Sequence, residues 1–377
     1  MKKRSLYALI ILFSLLLGVD NLVFAQKGDL RYAGDSVEAK ESRKLGGWID
    51  VQYRFEQDAE GESSVVQIRR ARLDYKGSLS NMIDYRLQAD FAPSPRLIDA
   101  YIKLNFRKYA QLQVGQFKIP FSLENKLSPL DLELTDNAQI ISALSGYKDV
   151  TGIASYANGR EIGAMITGEL AFVEVRNDRI PLLSYGVGLF GGNGINVKTD
   201  NLAKDVAARI EFRPLVRNLV LSVSGYWGSY EMLYNNAPTD MSGARIRYAN
   251  GMQYSDRHWM VRAEYLKGKT GFVGFDDSDG IFTPYYVETQ GCYLIASYWF
   301  EYGRRQTNAF QQKISPIIRV DYFEKDMASH TSSLLYSSGV DWWPEKHLRL
   351  QLAYTLQQKI PSNQLGHTIT TMVTVRY

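Results

Sequence analysis

Hydrophobic and polar residues alternate with a period of two along much of the chain. From residue 49 to residue 56, apolar side chains at odd positions and polar side chains at even positions take turns. Such alternation places one kind of residue on each face of an extended strand, and it predicts half-buried β-strands. The same pattern recurs in five further stretches, which are residues 83–91, 99–106, 206–212, 259–265 and 348–354.

The two faces of these predicted strands differ in a way that bears on their surroundings. Charges lie on the polar face in the middle of an element of about ten residues, while the apolar face ends in aromatic side chains. A soluble β-sandwich turns its apolar face toward a second sheet, whereas a membrane barrel turns it toward lipid and its polar face toward water. The charges at mid-strand favour the barrel, and a secreted soluble β-protein is the alternative.

The predicted connections alternate in length, as they do in outer-membrane barrels. At roughly 22 residues for each strand and its connection, the chain holds about sixteen strands. We therefore predict an all-β protein, a transmembrane antiparallel β-barrel of about sixteen strands. The short connections lie near 78–81, 107–110, 214–218, 255–257 and 344–346, and the longer ones span 57–64, 116–158, 191–204, 229–242, 267–283 and 357–366.

Both ends of the chain fit this prediction. Residues 1–25 have the pattern of a secretory signal peptide. They begin with basic residues, continue in an apolar run too short to span a membrane and end in small residues typical of a cleavage site. Residues 26–44 would follow as a periplasmic N-terminal segment, and residues 45–377 would form the barrel. The last predicted strand ends in the aromatic residue Tyr377 and would pair with the first strand, so that the sheet has no open edge.

The longest predicted connection, residues 116–158, is too apolar for a solvated outer loop. It includes eight leucine and isoleucine side chains between residues 119 and 141, among them the pair Ile140-Ile141. A lumen enclosed by about sixteen strands is too wide to select among small solutes unless something narrows it. We therefore predict that this segment folds inward against the wall as a constriction loop.

Other patterns in the sequence carry little chemistry. The formal net charge is +4 without a concentrated basic face, which excludes nucleic acid as a partner, and the single cysteine, Cys292, cannot form an internal disulfide. GVGLFG at 186–191 has dinucleotide-binding spacing but precedes a loop instead of a helix. DDSDG at 276–280 lacks the register of a calcium loop, and the four histidines are scattered. The sequence thus predicts no enzyme, no cofactor and no metal.

Several stretches in the first half of the chain resemble the phosphate-selective porin O and P family. The most specific is GQFKIPFS at 115–122, which ends one predicted strand and opens the inward segment. The second half of the chain resembles the family only in the spacing of its predicted strands and in its C-terminal strand. The other stretches that carry the resemblance are IRRAR at 68–72, YRLQADF at 85–91, DAY at 99–101 and REIG at 160–163.

The resemblance implies a trimeric, sixteen-stranded channel of the Gram-negative outer membrane that passes anions. Its partners would be small anionic solutes such as phosphate, the lipid bilayer and two further copies of the chain. Carried over by motif, Arg70 and Arg69 would lie at the constriction with Asp90 opposite, and Lys118 would begin the inward loop. Arginine suits such a path because its fork grips phosphate oxygens and keeps its charge at every relevant pH.

Strand alternation supports part of this assignment independently, since it places Arg70 and Arg72 on one polar face. Arginines on later strands either continue a basic strip or form pairs with nearby acids that stiffen a wet wall, and both interpretations require them to point inward. These later arginines are Arg209, Arg245, Arg247, Arg262, Arg319 and Arg349. The predicted anion pathway comprises Arg69, Arg70, Arg72, Asp90, Lys118, Arg245 and Arg247.

Two features depart from the family pattern. The inward segment is more acidic than basic, and Ser122 stands four residues after Lys118, where a strict phosphate selector would carry another lysine. The sequence therefore predicts an outer-membrane porin for passive diffusion of small solutes with a preference for anions, with phosphate or polyphosphate as the narrower interpretation. The alternative is an outer-membrane binding or adhesion barrel that acts through its extracellular loops.

Overall fold

The computed structural model describes residues 42–152, 158–175, 178–198, 204–214, 218–235, 237–276, 281–302 and 312–377. The predicted signal peptide, residues 1–25, and most of the predicted N-terminal segment lie outside the described residues. In the described ranges, no helix combines the length and the apolarity needed to cross a membrane.

Strands make up nearly all of the regular structure. They are β1 Ser42–Asp58, β2 Gly61–Ser78, β3 Ile83–Asp90, β4 Arg96–Arg107, β5 Ala110–Lys118, β6 Arg160–Val175, β7 Asp178–Phe190, β8 Asp205–Phe212, β9 Leu219–Tyr234, β10 Ala237–Ser255, β11 Trp259–Asp276, β12 Ile281–Tyr298, β13 Phe300–Tyr302, β14 Gln312–Asp326, β15 Thr331–Glu345, β16 Leu348–Ile360 and β17 Leu365–Arg376. A short α-helix, α1, spans Gln139–Leu144, and 3-10 turns lie at Glu124–Lys126 and Met327–Ser329.

The strands form one closed antiparallel sheet. Successive strands pair with each other, and β17 pairs back onto β1. Because β12 and β13 both pair with β14 and are separated only at Trp299, the 17 strand segments form the predicted 16-strand barrel. The closing seam ends in two hydrogen bonds of 3.1 Å, one in each direction, between the backbones of Gly47 and Tyr377. The prediction that the aromatic C-terminal strand seals the sheet is confirmed.

The predicted division into two faces is also confirmed. In β1, Ile49 and Val51 are exposed on the outside, whereas Asp50 and Gln52 are each 1% exposed on the inside. Leu352 and Tyr354 of β16 repeat the outward pattern near the other side of the seam. A lipid bilayer offers no hydrogen-bond partners, so a closed sheet with apolar outward side chains is the arrangement that strands can adopt there.

The prediction of long polar loops is wrong at four places, namely 57–64, 229–242, 267–283 and 357–366. Strands continue through most of these residues; β10, for example, has 19 residues, about twice the length that spans a bilayer. Only a few residues remain in each described turn, such as Ala59 and Glu60 between β1 and β2. Polar composition suggested loops, but a strand beyond the bilayer needs only its backbone pairing, and its side chains on both faces can be polar.

The outward position of Cys292 allows a direct test of the lipid-facing surface. This thiol is exposed on the outside of β12, well inside the strand and beside the outward Leu294. A charged, water-soluble maleimide should leave Cys292 unmodified in folded protein in lipid vesicles, because hydrocarbon covers it, and should label it after unfolding in urea. Mass spectrometry of the intact protein measures the modification.

The control moves the thiol to the inside. In a Cys292→Ser, Ser128→Cys variant the new thiol lines a polar internal cavity, so the same reagent should label it in the folded state. Rapid labelling of Cys292 itself in folded protein in vesicles would contradict the outward apolar face.

Candidate functional site

The connection between β5 and β6 lies against the polar, inner faces of the strands. We refer to residues 119–159, of which 119–152 and 158–159 are described, as the inward segment. It begins three residues later than predicted, because β5 continues to Lys118. Its apolar side chains complete the main buried cluster together with wall residues. The cluster includes Ile119, Phe121, Leu134, Ile140, Ile141 and Leu144 of the segment and Phe117, Phe190, Leu266, Ile295 and Ile317 of the wall.

Wall glycines make room for the apolar side chains of the inward segment. A Cβ atom at Gly268 would lie 2.9 Å from the Leu144 side chain, and one at Gly291 would lie 2.9 Å from the Ile140 side chain. Real Cβ atoms do not approach that closely, so the absence of a side chain at these positions allows α1 to pack on β11 and β12. The sequence shows glycines inside strands, but it does not indicate what approaches them.

Arginines of the wall pair with acidic residues of the inward segment. Arg247 on β10 donates two hydrogen bonds of 2.7 Å to the carboxylate of Asp149. Arg262 on β11 lies 2.7 Å from the Glu133 carboxylate. These arginines are nearly fully buried, and a bidentate guanidinium–carboxylate pair fixes geometry as well as charge. The segment is thus bound to the wall by ion pairs in which the wall supplies the positive charge and the segment supplies the negative charge.

Asp136 is held by two arginines from the other side of the barrel. Its carboxylate lies 2.7 Å from Arg54 on β1 and 2.8 Å from Arg69 on β2. Burial would raise the pKa of the Asp136 carboxyl, but the two guanidinium groups hold it well below its usual range. Burial and Arg247 act in the same opposing way on Asp149, whose pKa is also lowered. Both carboxylates therefore stay ionised at any pH at which the protein would work.

The backbone of the inward segment is also bound by wall side chains. Arg349 on β16 donates hydrogen bonds of 2.9 and 2.7 Å to the carbonyl oxygens of Leu130 and Leu132. The carboxylate of Glu264 accepts hydrogen bonds of 2.7 and 2.8 Å from the amides of Leu123 and Glu124. The described part of the segment is anchored at several points around the wall, which explains how a mostly irregular stretch of chain holds one position inside a barrel.

The predicted residues Arg69 and Arg70 both point inward because β2 has a bulge. Asp50 pairs with Arg70 but Val51 pairs with Ile68, so Arg69 is the extra residue. A bulge allows two consecutive side chains to reach the same face. Arg70 pairs with Asp50 at 3.0 Å, and its side chain is 13% exposed.

Four other predicted residues lie in buried ion pairs. Arg72 and Asp90 pair with each other at 2.9 Å, and both are at most 2% exposed. Arg245 pairs with Asp205, while Arg247 pairs with Asp149 as described above. The structure therefore supports paired charges as the role of these three arginines in the wall, and their part in an anion pathway stays a prediction.

Lys118 is the one residue of the predicted anion pathway that lines either of the two large internal cavities. Its amine donates hydrogen bonds to the carbonyl oxygens of Asn125, at 2.7 Å, and Leu127 of the inward segment. The cavity beside it, here the first cavity, has a volume of about 510 Å³ and lies between β3–β8 and the segment. Among its lining residues, six are basic, Arg86, Lys118, Lys126, Arg160, Arg209 and Arg213, and three are acidic, Asp99, Glu169 and Glu211.

The basic excess of the first cavity gathers around a single carboxylate. Glu211 lies 2.8 Å from Lys126, 3.2 Å from Arg209 and 3.1 Å from Arg213. One negative charge faces three positive charges, so the group keeps a net positive charge. The sequence singled out Arg209 only as part of a wider set and missed Lys126 and Arg213. The alternation of β8 places Arg209, Glu211 and Arg213 on one face, but nothing in the sequence brings Lys126 there.

A second cavity lies on the other side of the inward segment. Ser128 and Pro129 line the first cavity, whereas Leu127, Leu130 and Asp131 line the second. The stretch 126–133 thus separates two polar spaces inside the barrel. No group of three or more His, Cys, Asp and Glu side chains in the described ranges is arranged to hold a metal ion.

The comparison with protein families agrees with the resemblance seen in the sequence. The family described as phosphate-selective porin O and P matches residues 44–265, well over half of the chain. The chain belongs to this family. Membership and the closed barrel together identify an outer-membrane porin channel, and the family consists of channels and not enzymes. The comparison with curated proteins gave no match.

Solved porin structures share the fold at low sequence identity. An anion-selective porin from Comamonas acidovorans is 11% identical, with a TM-score of 0.62 over 90% of this chain and 100% of that chain. The outer membrane protein OmpT of Vibrio cholerae, in a trimer form, is 8% identical, with a TM-score of 0.59 over 89% and 99%. Salmonella typhi OmpF in complex with daunomycin is 12% identical, with a TM-score of 0.59 over 89% and 98%.

The contact between Gly268 and Leu144 predicts the effect of a larger residue in the wall. Gly268→Val should push Leu144 and α1 away from β11, because overpacking of this kind costs about 1–3 kcal/mol. A loosened segment leaves more of the lumen open, so single-channel conductance and current noise should both rise in planar bilayers.

The matched control is Gly274→Val in the same strand. A Cβ atom at Gly274 meets nothing closer than 3.8 Å, and this variant should conduct like the wild-type protein. Equal conductance of all three proteins would show that the packing of α1 on β11 does not limit the current.

Proposed function

We propose that this porin passes small solutes through the outer membrane with a preference for anions, inorganic phosphate among them. The observation that carries the proposal is the first cavity, where six basic side chains face three acidic ones. In the sequence, the acidic inward segment is a departure from the pattern expected of an anion filter. In the structure, most acidic side chains of the segment form ion pairs with wall arginines, so they do not cancel the basic excess of the first cavity.

The chemistry of the cavity suits transient binding of oxyanions. The side chains of Arg86, Arg209 and Arg213 are each 15–26% exposed, and the Lys126 side chain is 50% exposed. Guanidinium forks match the oxygens of phosphate, and the carboxylates among them limit how tightly an anion is held. Conduction requires that balance, because an anion that binds too strongly does not leave.

Arg69, Arg70 and Lys118 belong to the proposed pathway as residues that shape its charge. The side chains of Arg69 and Arg70 are 21% and 13% exposed, so each adds positive potential to the lumen while it pairs with an acid. The other predicted residues would act indirectly, by holding the wall and the inward segment in place. They are Arg72, Asp90, Arg245 and Arg247.

We also propose that the channel is a homotrimer exported by a signal peptide. Family membership supports the trimer, as does the fold shared with the Vibrio cholerae protein whose trimer form is known. Cross-linking of the protein in native outer membranes tests it; a single band at the monomer mass at all cross-linker concentrations would argue against a trimer.

Neutralising the cavity should reduce anion preference. In a salt gradient across a planar bilayer, the wild-type reversal potential should show chloride crossing faster than potassium. Lys126→Gln combined with Arg213→Gln should lower the chloride-to-potassium permeability ratio by roughly two- to fivefold, because each lost charge acts on a passing ion with up to about 1 kcal/mol in water. Addition of phosphate to one side then measures its relative permeability.

A charge change away from the cavity provides the control. Lys359 lies near the far end of β16, outside the cavity lining, and Lys359→Gln should leave the reversal potential unchanged. The proposal fails if the cavity variant keeps the wild-type ratio, or if wild type prefers potassium.

Alkaline pH should weaken the preference before ordinary lysines lose their protons. Partial desolvation inside the barrel lowers the pKa of the Lys126 amine below its usual value; Glu211 opposes the shift, and the positive charges of Arg209 and Arg213 add to it. Lys126 therefore becomes neutral at a lower pH than a solvated lysine, and anion preference should fall as pH rises through that value. Lys126→Arg, which keeps its charge, should remove this step from a titration of reversal potential; a step that persists in Lys126→Arg would assign it to another group.

A further inference from the structure

The second cavity has a different lining from the first. It has a volume of about 560 Å³, within the range of pockets that hold small organic ligands. It lies near the short turns that join β10 to β11 and β15 to β16, and residues 127–133 of the inward segment contribute to its lining. The long inward segment leaves β5 at the opposite end of the barrel, and in outer-membrane barrels the longer connections lie on the outer side. A solute would therefore meet this cavity at the periplasmic mouth.

Three tryptophans line the second cavity, Trp259, Trp299 and Trp343, whereas the first has none. Trp299 lies at the break between β12 and β13, and Trp343 lies on β15. Successive side chains of a strand point to opposite faces, and the neighbouring Trp342 is 36% exposed on the outer face. The guanidinium groups of Arg349 and Arg376 lie 5.4 and 5.8 Å from the centre of the Trp343 ring. An aromatic surface and positive charge therefore occur side by side.

Part of this positive charge has no carboxylate partner. Arg349 pairs with Asp341 at 2.6 Å, and Arg262 pairs with Glu133 at 2.7 Å. In contrast, Lys346 and Arg376 form no ion pair within the described part of the chain, although both line the cavity. Asp131 and Asp256 also line it without an ion pair there, but Arg376 is the basic group of this set that lies against the Trp343 ring. An anionic group would find its strongest attraction at Lys346 and Arg376, next to Trp343.

Neutral and acidic groups complete the lining. Gln253, Ser255 and Asp131 offer donors and acceptors of the kind that bind hydroxyl groups. The cavity thus offers a flat apolar face, several hydroxyl-binding groups and two basic side chains that no carboxylate of the described ranges holds. These match the parts of one class of solute, a sugar ring that carries a phosphate. A purely aromatic anion would leave the hydroxyl-binding groups unpaired, which costs affinity.

We propose that the second cavity is a binding site for phosphorylated monosaccharides at the periplasmic mouth, with Trp343 under the sugar ring and Lys346 and Arg376 at the phosphate. The inference rests on the proposed channel function and adds a substrate class to it. Sugar phosphates share their anionic group with inorganic phosphate, so the distinguishing element is the contact between the ring and Trp343.

Interruption of single-channel current by glucose 6-phosphate tests the proposal, with inorganic phosphate and glucose as comparison solutes. Glucose 6-phosphate should block wild-type channels at lower concentration than either comparison solute. Trp343→Leu should raise its half-blocking concentration roughly three- to tenfold, the range expected for one aromatic contact, without changing block by inorganic phosphate. Lys346→Gln should weaken block by both phosphate compounds.

Matched variants separate binding from folding. Trp342→Leu changes the neighbouring tryptophan on the lipid side, and glucose 6-phosphate should block this variant at the same concentration as wild type. Trp343→Phe keeps an aromatic face and should recover most of the affinity lost in Trp343→Leu. Equal block of wild type by glucose 6-phosphate and inorganic phosphate, or equal effects of Trp342→Leu and Trp343→Leu, would overturn the sugar-phosphate site while the channel stands. Absence of any wild-type current would overturn the channel function itself.

Discussion

Pairing between buried arginines of the wall and acids of the inward segment is the interaction on which the interior of this protein depends. The contacts of Arg247 with Asp149 and of Arg262 with Glu133 fix the segment at separate places around the barrel. Removal of one partner from a buried pair leaves an uncompensated charge and costs about 3–5 kcal/mol. The segment therefore has little freedom to leave the wall, and the positions of both cavities follow from where it is held.

The same pairing changes how the charge of the lumen is understood. An acidic segment in a porin suggests a cation-attracting path if its residues are counted without their partners. Once the bound carboxylates are matched with wall arginines, the positive charge that remains accessible belongs to residues around Glu211 and to Lys346 and Arg376. Net charge of a segment is thus a poor guide to the field that a passing ion experiences, whereas exposure and pairing describe it.

Most of the fold, and part of the site, could be predicted from the sequence. The alternation at residues 49–56 and the terminal Tyr377 predicted the strands, their outward faces and the closing seam, because lipid on one side and water on the other impose a period of two. The apolar content of the segment after Lys118 predicted that it folds inward. These features depend on local pattern, which a sequence displays directly.

The missing parts depend on contacts between residues far apart in the chain. Lys126 reaches Glu211, and Arg54 reaches Asp136, across 85 and 82 residues of sequence, respectively. The irregular backbone of the segment has no period from which such partners follow. The long strands such as β10 were missed because backbone pairing tolerates polar side chains once a strand leaves the bilayer. The bulge at Arg69 was also missed, because the predicted alternation runs through β2 without interruption.

The most direct test of the account is the single-channel conductance of the wild-type protein in planar bilayers over a range of potassium chloride concentrations. A lumen filled with water, enclosed by the charged faces of the strands, predicts stable ohmic steps whose size grows in proportion to salt concentration. Insertion of folded barrels without any steady current would contradict it, because the barrel would then act through its surface and not through its interior.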